Sequence, residues 1–183
     1  MPIVVDPSSS MCREASEREG VTVVRAPSQH LPLRGSIADL VYFHLSIHYG
    51  SFSEALDEAL RVVAPTGVIE IWTFAPESMA SSALAHWFPR IAELDAERFP
   101  PVETLAECLE SSGAAVAVDE VPETVERTAA SWQAAVRNRF VSTIQLLTDV
   151  EIEDGLARFT EVYGNADEPY RYDVDFVRLR ASL

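Results

Sequence analysis

Three side chains early in the sequence stand where chemistry would be placed: Asp6, His44 and His48. Asp6 closes the apolar run Ile3-Val4-Val5, and Pro7-Ser8-Ser9-Ser10 then opens a helix. An acid at the carboxyl end of a parallel strand is where nucleotide-binding α/β folds hold a ribose. Asp6 suits equally the N-cap of that helix, with Pro7 at its first position. His44 and His48 lie at and just beyond the carboxyl end of a second apolar run, Ile37 to Phe43. Open α/β sheets bind ligands at that edge. Imidazole titrates near neutral pH, so His48 suits a general base toward a substrate hydroxyl or amine. The competing role for His48 is a helix-start histidine bonding local backbone. The His44-x-x-x-His48 pair has no third ligand signalled, so no metal site is expected.

The elements that would position these groups alternate. Met11 to Gly20 reads as a short helix, and β-branched Val21-Thr22-Val23-Val24 as a buried strand. A loop with two prolines leads to Ile37–Phe43. Phe52 to Val63 has helical apolar spacing, an S-x-x-E box at Ser51 and Glu54, and a stop at Pro65. Val68 to Phe74 is a strand. Such alternation predicts a parallel sheet with helices on both faces. Ser78 to Leu94 reads as broken helix, Val102 to Ser111 as helix and Ala114 to Val121 as strand. Trp132, Val136, Phe140 and Ile144 recur at steps of four, which predicts one long helix over Thr128–Leu147. Its Trp132, Arg137, Arg139 and Phe140 suit either a roof over a substrate pocket or a core helix with a charged face. Thr148 and Glu151 form a second capping box, and Tyr172 to Leu179 alternates as a last strand. No repeat or second domain is visible, so 1–183 reads as a single domain.

The totals narrow the partners. The net charge is −15, and all 14 basic residues are Arg. That balance disfavours nucleic acid and anionic membranes and favours a neutral or cationic small molecule, or a protein. Cys12 and Cys108 stand in no CxxC pattern. No apolar run is long enough to span a bilayer and no signal peptide is visible, so the expected compartment is the cytoplasm. Motifs for hydrolases, dinucleotides and nucleoside triphosphates are missing.

Taken in order, the blocks resemble class I S-adenosylmethionine-dependent methyltransferases of the small-molecule, "methyltransferase type 11"-like kind. Val4-Val5-Asp6-Pro7-Ser8-Ser9-Ser10-Met11 resembles the segment after that family's glycine-rich motif. Ser28-Gln29-His30-Leu31-Pro32-Leu33 resembles its "A-E-x-L-P-F" loop, and Asp39-Leu40-Val41 its "F-D-L-V" strand. Ser46-Ile47-His48-Tyr49 is similar to its "a-l-H-H/W" segment, and Leu60 to Gly67 to "R-V-L-K-P-G-G". The glycine-rich motif itself is absent from the sequence, Pro27 stands where an adenine-contacting Asp is common, and Thr66 replaces the first glycine of "P-G-G".

The resemblance implies a Rossmann-like, mostly parallel sheet of order 3-2-1-4-5-7-6 with an antiparallel last strand, here a truncated domain without the family's first strand. It implies S-adenosyl-L-methionine as cofactor, with Asp6 at the ribose, Met11, Ser28 and Gln29 near adenine, and His44 at the ligand edge. It implies an enzyme, with His48 as the catalytic base, acting on an O or N nucleophile of a small molecule. The alternative is a non-catalytic, methyltransferase-like subunit acting through protein contact. The slot of the missing strand would be filled by an upstream segment, by a homodimer or partner chain, or closed by direct pairing of its neighbours. An unfilled, buried slot would cost roughly 1–3 kcal/mol per unpaired group.

Overall fold

A computed structural model describes residues 1–183. In order it holds β1 (Ile3–Asp6), α1 (Ser9–Ser16), β2 (Thr22–Arg25), β3 (Ala38–His44), α2 (Phe52–Val62) and β4 (Val63–Thr73). A 3-10 turn (Pro76–Ser81), α3 (Ala83–Trp87), α4 (Arg90–Arg98), α5 (Val102–Ser111) and β5 (Ala115–Thr128) follow. The chain ends with α6 (Ala129–Arg137), a 3-10 turn (Ile144–Leu146), α7 (Asp149–Val162) and β6 (Pro169–Ser182). No helix is long and apolar enough to cross a membrane.

The strands form two ladders rather than one. β1 pairs in parallel with β2, Ile3 opposite Thr22 through Asp6 opposite Arg25. The other four strands run in the order β3-β4-β6-β5, with β3 parallel to β4. β1 and β3 do not pair, so the two strands flanking the slot have not closed onto each other.

The chain divides into two compact units. The first comprises 1–72, 103–118 and 179–183. Its core alternates along β4, where Ile69 and Ile71 are fully buried, and uses one face of α2 through Ala55, Leu56 and Ala59. The Phe52–Val62 helix follows from that apolar spacing and from Ser51, whose Oγ accepts the Glu54 N–H at 3.3 Å. Val63 already belongs to β4, and the expected stop at Pro65 falls inside that strand. The ladder absorbs it by a register shift between Ala38 and Leu40, because proline has no N–H to donate.

The second unit comprises 73–102 and 119–178. Its core is aromatic. Trp132 is fully buried between Phe88 and Phe159, with ring centroids 6.1 and 4.1 Å away. Trp87 Nε1 donates to Tyr170 Oη at 2.8 Å. The capping box of α7 is complete: Glu151 N–H donates to Thr148 Oγ1, and Thr148 N–H donates back to the Glu151 carboxylate.

The long helix expected over Thr128–Leu147 breaks after Arg137. Arg139 takes φ 51° and its guanidinium donates to the carbonyls of Ile144 (3.0 Å) and Leu147 (2.9 Å). Those charge-assisted bonds hold a loop where the apolar period alone would continue a helix. Ile144 is still buried, but Phe140 is exposed beneath Arg127. Trp132 therefore is core, and Arg139 a local clasp.

Candidate functional site

The residues singled out at the ligand edge, Asp6, Met11, Ser28, Gln29, His44 and His48, all fall in the first unit. β1 ends at Asp6 because Pro7 cannot continue the ladder. Asp6 Oδ1 accepts the Ser8 N–H at 2.7 Å, an Asx turn. The N-cap of α1 is Ser8, whose Oγ lies 3.5 Å from Met11 N. So the capping role weighed for Asp6 passes to Ser8, and one Asp6 oxygen enters no hydrogen bond. α1 begins at Ser9 and ends at Ser16, earlier at both ends than the periodicity predicts. Met11 lies on its first turn and is half exposed, so it is not packed in the core.

After β2 the chain turns at Pro27–His30, where His30 N–H donates to Pro27 O at 3.1 Å. Ser28 and Gln29 are the two central residues of that turn. The Gln29 side chain is already employed: Nε2 donates to Tyr49 O at 2.7 Å. That bond joins the loop after β2 to the loop after β3. The amide's Nε2 is thus engaged, while its Oε1 and the turn's main chain still face the end of the strands. Gly50 lies beside it at φ +78°, a conformation that favours glycine, and a Cβ there would also push the Gln29 amide off its place. Farther along, Leu31 N–H donates to Glu58 at 2.7 Å, and Arg61 donates to Leu31 O and Leu33 O at 3.0 and 2.8 Å. The Arg61 hydrogen bond holds the Glu58 carboxyl down at about 2.

His44 closes β3. Its Nδ1 lies 3.3 Å from Tyr42 Oη, with the two rings stacked, and its ring leans on Trp72 of β4. Trp72 Nε1 in turn donates to Glu70 at 2.8 Å. Burial, and then Glu70, raise the Tyr42 hydroxyl above its ordinary pKa. Sequence reasoning passed over Tyr42, Glu70 and Trp72. Their signal is the alternation of β3 against β4, which sets Tyr42 opposite Glu70 and His44 opposite Trp72.

His48 is buried and packs against Tyr49 with ring centroids 4.3 Å apart. It sits on a loop that leaves β3 through Leu45 at φ 48°, not on a helix. His44 and His48 are therefore not the one-face pair that helical spacing would give, and no group of three or more His, Cys, Asp or Glu side chains converges anywhere. Asp39 lies at the opposite end of β3, exposed.

The donor set fits the adenosine half of a nucleoside cofactor. A carboxylate oxygen stands open at the end of β1, and the turn at Ser28–Gln29 follows β2 on the same edge. Nothing in the chain provides the glycine turn that would hold an amino-acid moiety.

Residues 3–71 match the family model described as a methyltransferase domain. Among curated proteins nothing matches the chain. Among solved structures, one described as a methyltransferase from an antibiotic biosynthesis pathway of Anabaena variabilis is similar at a TM-score of 0.70 and 20% identity, over 99% of this chain and 81% of that one. A methyltransferase-type structure from Bacillus halodurans is similar at 0.62 and 12% identity, over 100% and 83%. A third is a phosphoethanolamine N-methyltransferase from Haemonchus contortus in complex with phosphomonomethylethanolamine and S-adenosylhomocysteine. It is similar at 0.55 and 13% identity, over 98% of this chain and 42% of that one. The resemblance to class I S-adenosylmethionine-dependent methyltransferases is borne out, and the mixed α/β architecture is theirs.

Proposed function

We propose that the chain takes part in S-adenosyl-L-methionine-dependent methyl transfer to an O or N nucleophile of a small molecule. The observation that carries this reading is Asp6. It ends β1 with one carboxylate oxygen open, inside the stretch that matches the methyltransferase domain model. Bound there, the cofactor would supply an electrophilic methyl group. Asp6 would accept hydrogen bonds from the ribose hydroxyls, and the main chain of Ser28 and Gln29, with Met11 alongside, would border adenine. His44 would border the site from the end of β3.

His48 would remove the proton from the nucleophile. What supports that role is its place on the loop just beyond the carboxyl end of β3, the edge at which open α/β sheets bind ligands. Positioning and deprotonation are most of what such a transfer requires. The amino-acid end of the cofactor needs donors from a segment lying between β1 and β3, upstream or from a partner chain. Such a segment is part of the reading.

A second reading, a non-catalytic methyltransferase-like subunit, is favoured by the engaged Gln29 amide and by the split sheet. Calorimetric titration with S-adenosylhomocysteine decides between them once the slot is filled. Saturable binding lost in Asp6→Ala supports the enzyme; a flat titration supports the subunit.

A further inference from the structure

Asp6 is the last residue of β1 and Arg25 the last of β2, and the parallel register sets them opposite each other. Side chains at paired positions leave a sheet on one face, so Asp6 and Arg25 share it. Arg25 is exposed, yet its side chain is employed. Its Nε donates to the main-chain carbonyl of Pro7 at 3.1 Å. Pro7 lies just past the last ladder pair and has no N–H to donate, so the ladder itself does not hold it.

Three bonds thus fix the turn that carries Asp6. Ser8 N–H donates to Asp6 Oδ1 at 2.7 Å, the Cys12 thiol donates to Asp6 O at 3.2 Å, and Arg25 donates to Pro7 O. The first two come from the strand-to-helix segment itself, and they move with it. The third crosses to the neighbouring strand and sets the turn against the sheet. It is also charge-assisted, which places it among the stronger hydrogen bonds.

The direction of the open Asp6 oxygen depends on that anchor. With Oδ1 committed to the Ser8 amide, the carboxylate follows the Pro7–Ser8 peptide. If that peptide rotates, the Ser8 N–H rotates with it and takes the carboxylate along. Misplacing a positioning group by about 1 Å can cost about 10²-fold.

We propose that Arg25 is a positioning residue for Asp6. By pinning the Pro7 carbonyl it aims the open carboxylate oxygen toward the ribose, and it acts through Asp6 alone. The proposal rests on the methyltransferase reading and extends it to a side chain of β2. It involves β1, β2 and the turn between β1 and α1, and is independent of what lies on the other edge of β1.

The first measurement uses the chain as it stands, without cofactor. Arg25→Ala should speed hydrogen exchange of the Ser8 amide about threefold or more, whereas Arg25→Lys, which keeps a charged donor, should stay within about twofold of native. The Glu54 amide, bonded to Ser51 Oγ at the start of α2, is the internal reference and should not change. Ser8 exchange equal to native in Arg25→Ala would overturn the proposal. The second measurement titrates S-adenosylhomocysteine into the chain extended at its amino end by a strand, a glycine-rich turn and a helix. Arg25→Ala should weaken binding about fivefold with the unfolding midpoint unchanged, and Arg25→Lys should restore most of the affinity. Equal affinity with and without Arg25, or a loss that tracks a fall in the midpoint, would overturn the proposal and leave the reading of Asp6 standing. A flat titration with Arg25 in place would overturn that reading, and the proposal with it.

Discussion

The side-chain amide of Gln29 donates to the main-chain carbonyl of Tyr49 at 2.7 Å and so ties the turn after β2 to the loop carrying His48. Gln29→Ala should cost about 1 kcal/mol of stability and speed exchange over 46–51. If Gln29 instead reads a ligand, the substitution would weaken ligand binding and leave the unfolding midpoint where it was.

Gly50 serves the same contact. Gly50→Ala forces a Cβ into Gln29 and a residue with a side chain into φ +78°. Chemical denaturation should show a loss of roughly 1–3 kcal/mol. The double variant Gln29→Ala/Gly50→Ala should lose less than the sum of the two single changes, since the collision is then gone.

The Glu58–Arg61 pair predicts a pH dependence with a definite sign. The Glu58 carboxyl has an ordinary value of 4.5 and is held at about 2 in the folded chain. A depressed acid contributes stability that is complete above its unfolded value and is lost as pH falls toward the folded one. The midpoint difference between the native chain and Glu58→Gln should be constant above about pH 5 and shrink steadily toward pH 2. A difference that persists unchanged at pH 2–3 would mean that the charge on Glu58 is not what holds 31–33.

Much of the helical structure was legible because its signals are local. Ser51 and Thr148 mark helix starts by spacing alone, and the apolar periods of α2 and α5 give their limits to within a residue. The break at Arg139 was not legible. The period from Trp132 to Ile144 is helical, and the carbonyls that Arg139 clasps are brought near only by the fold. The Gln29–Tyr49 bond was hidden for the same reason: Tyr49 is twenty residues away in sequence. The exposure of Leu40 and Tyr42 on β3 was hidden too, since both look like ordinary strand residues until the fold is known.

In the second unit, Gly155 of α7 passes so close to Phe88 that a methyl group would collide with its ring and lie 2.9 Å from Trp87 O. Gly155→Ala should destabilise by about 1–3 kcal/mol despite its better helix propensity. A gain in stability would show that Phe88 has room to move.

The central claim is that Asp6 ends a strand poised to hold the ribose of S-adenosyl-L-methionine. The direct test is isothermal titration of S-adenosylhomocysteine into the chain extended at its amino end by a strand, a glycine-rich turn and a helix, beside the same protein with Asp6→Ala. Saturable binding that Asp6→Ala weakens by about tenfold or more, roughly 1.4 kcal/mol, is the predicted result. No heat from the extended chain, or equal affinity with and without the Asp6 carboxylate, would contradict it.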